Sequence, residues 1–566
     1  MALEQIKKWL KKYSHWLILG ILALCFFIGA ASFNYFTQKN GYLKWVSPDE
    51  TANYIFTKLY GQEGKLAIFE KYNLYGKDIM HPRSFRSDYG WLKPVSFLGI
   101  ILIYGKIASV TSYKILPYLT PFFGAVGIIY YYLLVKKLFG RRNALISAFL
   151  LASFPVYVYY SARSMFHNVL FIVLLLIGLY YSVLMIKHKK ETSEYLTWLY
   201  AALAGGFIGL AIITRASELL WIIPMLIILW AFNIKKVGIT KLIIFLSFLF
   251  LSILPVLYWN QILYGSPWRG GYAEMNQSIS DISQAGSSFI ASLITGKLSH
   301  FKELLNKISG NIFHFGFHPL QSCKMFYHYF VRMFYWIFWP ALLGGILFAQ
   351  KWRHWRRRHW AYLMSYFIIS LILLFYYGSW KFNDNPDPGQ FTIGNSYTRY
   401  WLPIYLGALP FVSLFIIKLT RLAKNKTIIF GIRSAIIILI FFISIRFVLF
   451  GSDEGLIFTA QRQKLSQNEF NKVMSLTENG AAIITQYHDK LFFPERKVIV
   501  GLFNDANMTR EYGKLVNYLP LYYYNFTLPQ KDFDYLNSRR LAEAGLRIEK
   551  VEQITSDFTL YRLYKK

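Results

Sequence analysis

The sequence is poor in cysteine, in charge and above all in acid. Two cysteines among 566 residues, Cys25 inside an apolar run and Cys323 in a polar connection, are too few for a disulfide framework or a thiolate metal cage. Charged residues make up 16% of the chain. Soluble globular domains carry about 25%, so that class is excluded. Aspartate and glutamate number 29 against 62 lysines and arginines. No Gly-rich phosphate loop sits between a strand and a helix, and no Ser-His-Asp order or zinc motif stands out. No internal repeat is visible.

What is present is apolar and basic: 55% of residues are hydrophobic, 19% aromatic, and the net charge is +33. Such an excess fits a nucleic-acid surface, an anionic membrane or a set of topology signals, and its placement decides. Residues 451–566 hold 16 basic and 14 acidic residues and are nearly neutral. The first 450 hold 46 basic and 15 acidic residues, and the basic ones gather in short runs between long apolar stretches. The runs are Lys136, Lys137, Arg141 and Arg142; Lys187, Lys189 and Lys190; Lys235, Lys236 and Lys241; Lys351, Arg353, Arg356, Arg357 and Arg358; and Lys418, Arg421, Lys424 and Lys426. This is the positive-inside pattern of a polytopic membrane protein, and it excludes nucleic acid as the partner.

A crossing needs about 20 apolar residues. Candidate spans run over 16–36, 116–135, 144–160, 169–186, 199–214, 219–232, 242–263, 329–349, 360–378, 400–417 and 427–450. The first is longer than the apolar core of a secretion signal and is expected to be retained. With the N-terminus in the cytoplasm, all five basic runs fall on the cytoplasmic side and the C-terminus lies outside. Pro94 to Val110 breaks this pattern if it crosses, so it is expected to lie in, or dip into, the outer interface. The external segments are then 37–115, 264–328, 379–399 and the tail. The tail has strand-like runs at Ala481–Gln486, Lys497–Leu502, Leu519–Phe526, Arg547–Val551 and Phe558–Tyr564, with helical stretches near 465–478 and 533–544. The expected fold is an all-α polytopic membrane domain over 1–450, with about eleven crossings plus interfacial helices. A small extracytoplasmic α/β domain over 451–566 follows it, the whole in the cytoplasmic membrane.

Six of the fifteen acids of the membrane part lie in the first external segment: Asp49, Glu50, Glu63, Glu70, Asp78 and Asp88. Asp49 and Glu50 follow Ser47-Pro48 shortly after the first span, which holds them near the outer membrane surface. Acids directly after a serine and a proline also make ordinary helix capping.

The run Ser47-Pro48-Asp49-Glu50-Thr51-Ala52-Asn53-Tyr54 resembles the first-loop motif of GT-C glycosyltransferases, membrane enzymes that use polyprenyl-phosphate sugars. The protein O-mannosyltransferases and the lipid A aminoarabinose transferases are the nearest in pattern. Lys93-Pro94 resembles the basic residue and proline that open an interfacial helix in that family. Tyr159 to Asn168 resembles its second external loop, with His167 and Asn168 where relatives often have an acid. Leu210-Ala-Ile-Ile-Thr-Arg215 resembles a hairpin whose basic residue faces the lipid phosphate, and Arg399-Tyr-Trp-Leu-Pro403 resembles the opening of a late span.

The resemblance implies an inverting transfer of a sugar from a polyprenyl-phosphate donor, dolichyl or undecaprenyl, to a lipid, protein or glycan acceptor on the outer face. Such a transfer needs a base at the acceptor and positive groups at the departing phosphate. Asp49 would be the base, with Glu50 orienting it or the acceptor and Tyr54 binding substrate. Lys93, Arg215 and Arg399 would bind the phosphate, and Arg163, His167 and Asn168 would line the donor pocket. Arg215 has a second reading, as the ion-pair partner of Glu218. Arg83 and Arg86 either meet phosphate or face solvent and lipid headgroups. No cofactor is required, and the missing acid at 167–168 argues against a two-carboxylate metal site. Asn276, Asn507 and Asn525 fit the glycosylation sequon, as chance often allows. Two alternatives stay open: an oligosaccharide transferase or polymerase using a diphosphate-linked glycan, and a lipid-linked sugar flippase. A non-catalytic envelope scaffold is the blandest reading.

Overall fold

The computed structural model describes residues 2–38, 42–186, 193–294, 301–314, 316–382, 384, 387, 389–451 and 454–566. The basic run Lys187, Lys189 and Lys190 lies outside them. The chain forms two compact units. The first comprises Met1–Asn34, Pro117–Tyr258 and Ala273–Phe458; the second comprises Tyr35–Leu116, Trp259–Tyr272 and Thr459–Lys566. The first external segment and the beginning of the 264–328 loop thus group with the tail, rather than with the helices that precede them.

The first unit is helical. Among the described residues eight helices are long and apolar enough to cross a membrane, or ten if each of two bent pairs makes one span. Arg141–Ser153 and Pro155–Ala162 meet at 53°, where Pro155 lacks the N–H that would carry the helix through. Pro319–Arg332 and Tyr335–Ala349 meet at 100°. Ala216–Ala231, at the sixth expected span, is a shorter apolar helix. Small residues let helices touch by their backbones: a Cβ on Gly205 would stand 2.0 Å from the Phe245 carbonyl oxygen, and one on Gly209 would stand 2.6 Å from that of Leu249. These two glycines, four residues apart, therefore set the contact between Glu194–Thr214 and Ile234–Tyr264.

The second unit is mixed. A small antiparallel sheet is built from β1 (Ile68–Phe69), β2 (Phe85–Asp88) and β3 (Trp91–Pro94), in the order β1-β3-β2. The stretch expected at the interface forms the 12-residue helix Gly99–Val110, which packs on Pro48–Glu63. The tail carries β4 (Ala482–Thr485), β5 (Lys497–Val500), β6 (Leu521–Phe526), β7 (Leu546–Gln553) and β8 (Phe558–Lys565). All five expected strands are present, in the order β5-β4-β6-β8-β7. β4, β5 and β6 run parallel and β8 and β7 antiparallel. β4 is buried along its whole length, which is why it reads as an uninterrupted Ala-Ile-Ile-Thr run rather than an alternating one. Ile484, Ile499, Leu515, Leu521 and Tyr523 form its core together with Met80 from the first external segment.

Ion pairs within this unit reinforce that join. Asp489, fully buried, accepts from the Arg83 backbone amide at 2.8 Å and from its guanidinium at 2.5 and 3.1 Å. Glu70 pairs with Lys497 at 2.7 Å, and Lys44 pairs with Glu495 while donating to the Phe493 carbonyl at 2.8 Å. Burial lowers the Lys44 pKa, and the Glu495 carboxylate opposes that shift. Arg83 thus clamps the first external segment to the tail sheet. Asn525 is buried, with its amide on the Tyr523 hydroxyl at 2.8 Å, so its sequon is not presented to solvent.

Candidate active site

The expected site residues fall into two clusters, one in each unit. In the second unit Asp49 and Glu50 open the helix Pro48–Glu63. Ser47 is its N-cap, Pro48 occupies the first turn where a missing N–H costs nothing, and Gly64 at φ 67° ends it. Ser47 and Glu50 form a reciprocal capping box in which the Glu50 carboxylate accepts from the Ser47 amide at 3.0 Å. Glu50 is buried, so its carboxylate fixes the start of the helix; for this residue the capping reading holds.

Asp49 is half-buried and accepts a 2.7 Å hydrogen bond from the Ser84 hydroxyl. Ser84 sits at φ 64°, a left-handed conformation that a residue with a Cβ adopts only when its surroundings hold it there. The neighbouring Arg83–Asp489 clamp supplies that hold. Tyr54, one turn on from Glu50, is buried against Trp45 with ring centroids 5.6 Å apart, and burial pushes its phenol pKa well up.

Lys93 lies on β3 directly across from Arg86 on β2. Its ammonium is 3.2 Å from the Asp88 carboxylate, which also holds Arg86 at 2.9 Å. Lys93 and Arg86 thus share one acid, a partner that composition alone did not reveal. The spacing Arg86-x-Asp88, facing Lys93 across a two-residue turn, is the signal that could have shown it. Val95 donates to the Ser84 carbonyl at 3.4 Å, so the strand bearing Lys93 runs past the residue that holds Asp49. Tyr264 donates its hydroxyl to the Pro94 carbonyl, and Gly271 packs so closely on Val95 that a Cβ would stand 2.4 Å from its oxygen.

The first unit brings Arg163, Arg215 and Arg399 into one array. The Arg215 guanidinium lies 4.7 Å from the Tyr400 ring centroid and that of Arg399 lies 5.0 Å from the same ring. Arg399 is also 5.1 Å from the Phe166 centroid, with Arg163 at 5.2 Å from it. Two rings therefore gather three cations, each ring face attracting positive charge. Tyr377 stacks on Tyr400 at 4.3 Å. Asn168 donates to the Arg399 carbonyl at 3.2 Å, and Arg399 donates to the Ser396 hydroxyl at 2.8 Å. Arg163 donates to the Tyr159 hydroxyl at 2.7 Å. His167, buried beside Asn168, begins the helix His167–Met185. The turn before it passes through Met165 at φ 70°, a buried left-handed residue.

Arg215 also has the ion-pair partner of its second reading. Its guanidinium donates to Glu218 at 2.7 and 2.9 Å and to the Tyr377 hydroxyl at 3.1 Å, while Tyr377 and Trp221 donate to the same carboxylate. The pair is buried on both sides and tied to the array rather than apart from it. Phe166, Tyr400 and Tyr377 were not among the expected residues; two aromatics at positions 166 and 400, each next to a predicted ligand, were the available signal. Among the described residues no three metal-ligating side chains converge.

Residues 100–259 match the family model described as dolichyl-phosphate-mannose-protein mannosyltransferase. No curated protein matches the sequence significantly. The oligosaccharyltransferase AglB of Archaeoglobus fulgidus, solved with an inhibitory peptide and a dolichol-phosphate, superimposes with a TM-score of 0.53 at 14% identity, covering 99% of this chain and 75% of that one. Its form tethered to an acceptor peptide gives 0.52 at 13%, covering 98% and 74%. ArnT of Cupriavidus metallidurans gives 0.38 at 12%, over 95% and 97%, a score too low to support a conclusion. The chain has the fold of the GT-C glycosyltransferases, the family its first-loop motif resembles.

Proposed function

We propose that the protein is an inverting membrane glycosyltransferase that moves a sugar from a polyprenyl-phosphate carrier to an acceptor on the outer face of the membrane. The observation that carries this reading is the ring-bound array of Arg163, Arg399 and Arg215, a concentration of guanidinium groups suited to phosphate oxygens. In the reaction the acceptor hydroxyl gives its proton to the Asp49 carboxylate. Its oxygen bonds to the anomeric carbon from the face opposite the phosphate, and the carbon–oxygen bond to phosphate breaks. The departing polyprenyl phosphate gains a negative charge, which the guanidinium groups stabilise more strongly than the charge of the bound donor. Ser84, by donating to Asp49, keeps the carboxylate aimed while it waits for a proton.

Supplying the purified protein with polyprenyl-phosphate sugars and an envelope extract as acceptor tests this. Wild type transfers label and Asp49→Asn does not; unchanged turnover in the variant removes Asp49 from the reaction. A second reading follows from the number of cations: three guanidinium groups also suit a diphosphate-linked glycan. Offering mono- and diphosphate-linked donors side by side separates the two readings.

A further inference from the structure

The helical unit also holds a cavity that none of the three arginines of the array lines. It has a volume of about 670 Å³ and lies among the helices Leu116–Phe139, His167–Met185, Leu219–Ala231, Arg357–Gly378 and Leu402–Thr420. Its walls are apolar, with Leu176, Leu179, Val183, Met225, Ile369 and Leu406 among them. Its lining on His167–Met185 and the residue that follows runs from Ile172 to Ile186. At 1.5 Å per residue that is about 21 Å, longer than the roughly 15 Å of one leaflet's hydrocarbon. An acyl chain fits such a length.

The rim is the informative part. Lys136, Lys137, Lys236, Arg356, Arg357 and Arg358 line it, and no acid does. Lys136 lies over the rings of Trp16 and Tyr132, and Arg358 donates to the Lys137 carbonyl at the end of Leu116–Phe139. Lys236, Arg356 and Arg357 are exposed. The positive-inside pattern assigns this end to the cytoplasmic face. Trp221 also lines the cavity, and its indole donates to Glu218, the partner of Arg215. A donor lipid whose single phosphate sits at Arg215 and Arg399 would bring only hydrocarbon to the basic rim. The rim calls for an anion of its own.

We infer that this cavity binds an anionic diacyl phospholipid of the cytoplasmic leaflet, one chain between the helices and the headgroup phosphate on Lys236, Arg356 and Arg357. The inference stands apart from the transferase reading, because it needs no catalysis and concerns the end of the bundle away from the arginine array. It explains why basic residues from three separate chain regions converge on an apolar cavity, where topology signals alone need only lie in the same aqueous layer.

Native mass spectrometry of the full chain in detergent tests it, with phosphatidylglycerol, phosphatidylcholine and undecaprenyl phosphate as probes. Phosphatidylglycerol is expected to remain bound in preference to phosphatidylcholine. Replacing Lys236, Arg356 and Arg357 together by glutamine is expected to weaken it on the order of tenfold or more, and raised salt to do the same. Leu179→Trp, which fills the cavity and leaves the rim charges in place, is expected to displace the lipid from otherwise wild-type protein. Equal retention of the two phospholipids overturns the inference. So does unchanged binding in both variants, or displacement of phosphatidylglycerol by undecaprenyl phosphate at equal concentration.

Discussion

Ser84 donates a 2.7 Å hydrogen bond to Asp49 from a backbone at φ 64°, so a strained residue holds the acid at the head of a helix. Ser84→Ala keeps the Cβ and removes the hydroxyl. Its expected effect is a fall in kcat of about tenfold with the acceptor KM nearly unchanged, since aim and not binding is lost. Steady-state kinetics on the purified protein reads this directly. Asp49→Asn is expected to lose a hundredfold or more.

The arginine array makes a prediction about shape as well as charge. Arg399→Lys preserves the positive charge but gives up the planar group that lies over Phe166 and Tyr400. The KM for a polyprenyl-phosphate sugar is expected to rise several-fold. Tyr400→Phe, which keeps the ring, leaves it near wild type, and Tyr400→Leu raises it. Equal values for the phenylalanine and leucine variants would exclude a role for the ring face.

The clamp between Arg83 and Asp489 joins the first external segment to the tail sheet. Removing the arginine leaves a buried carboxylate with its charge uncompensated, a loss of about 3 kcal/mol. Arg83→Gln is expected to lower the thermal midpoint by several degrees, and adding Asp489→Asn to recover part of it, because the stranded charge is then gone. Thermal unfolding of the single and double variants measures the coupling.

His488 gives the tail an acid-sensitive stability. It lies 3.3 Å from Glu469 and against Phe558, with Lys490, Asp489, Arg462 and Arg83 around it. Burial, helped by Lys490, lowers its pKa from 6.5 to about 3. A folded pKa below the unfolded one means that the unfolded chain takes up the proton first. The contribution is therefore complete above pH 6.5 and is lost as the pH falls from there toward 3, by at most about 1.4 kcal/mol per pH unit. Burial also raises the pKa of Glu469, so the folded chain takes up this proton more readily than the unfolded one, which opposes the slope set by His488. Chemical denaturation of wild type and His488→Gln between pH 7 and 4 is expected to show a shallower fall in the variant.

The sequence read best where one physical signal dominates. The five tail strands were legible because β-branched and aromatic runs end at turn residues, and the spans because hydrocarbon demands long apolar helices. The broken spans were not, since Phe154–Pro155 and Phe334 sit inside stretches that read as single spans and only the backbone shows the bend. Ser47-Pro48 followed by two acids announced a helix start, and the structure places Glu50 in its cap and Asp49 on the Ser84 hydroxyl. The grouping of the first external segment with the tail was illegible, because Arg83 and Asp489 are 406 residues apart and nothing local couples them. Arg215 was read in two ways from sequence; its ion pair with Glu218 is present, and its contact with the Tyr400 ring was not foreseen.

Glu218 carries a consequence for the rhythm of turnover. Three guanidinium groups and this one carboxylate leave the array with a net charge of about +2. In the proposed reaction the donor is a phosphodiester with one negative charge, whereas the spent carrier is a monoester with close to two. The array is thus better balanced by the spent carrier than by the fresh one. Chemistry that ends in tighter electrostatic balance runs forward readily and clears slowly. Escape of the carrier, and inhibition by it, is then the step at which ionic strength would govern the rate.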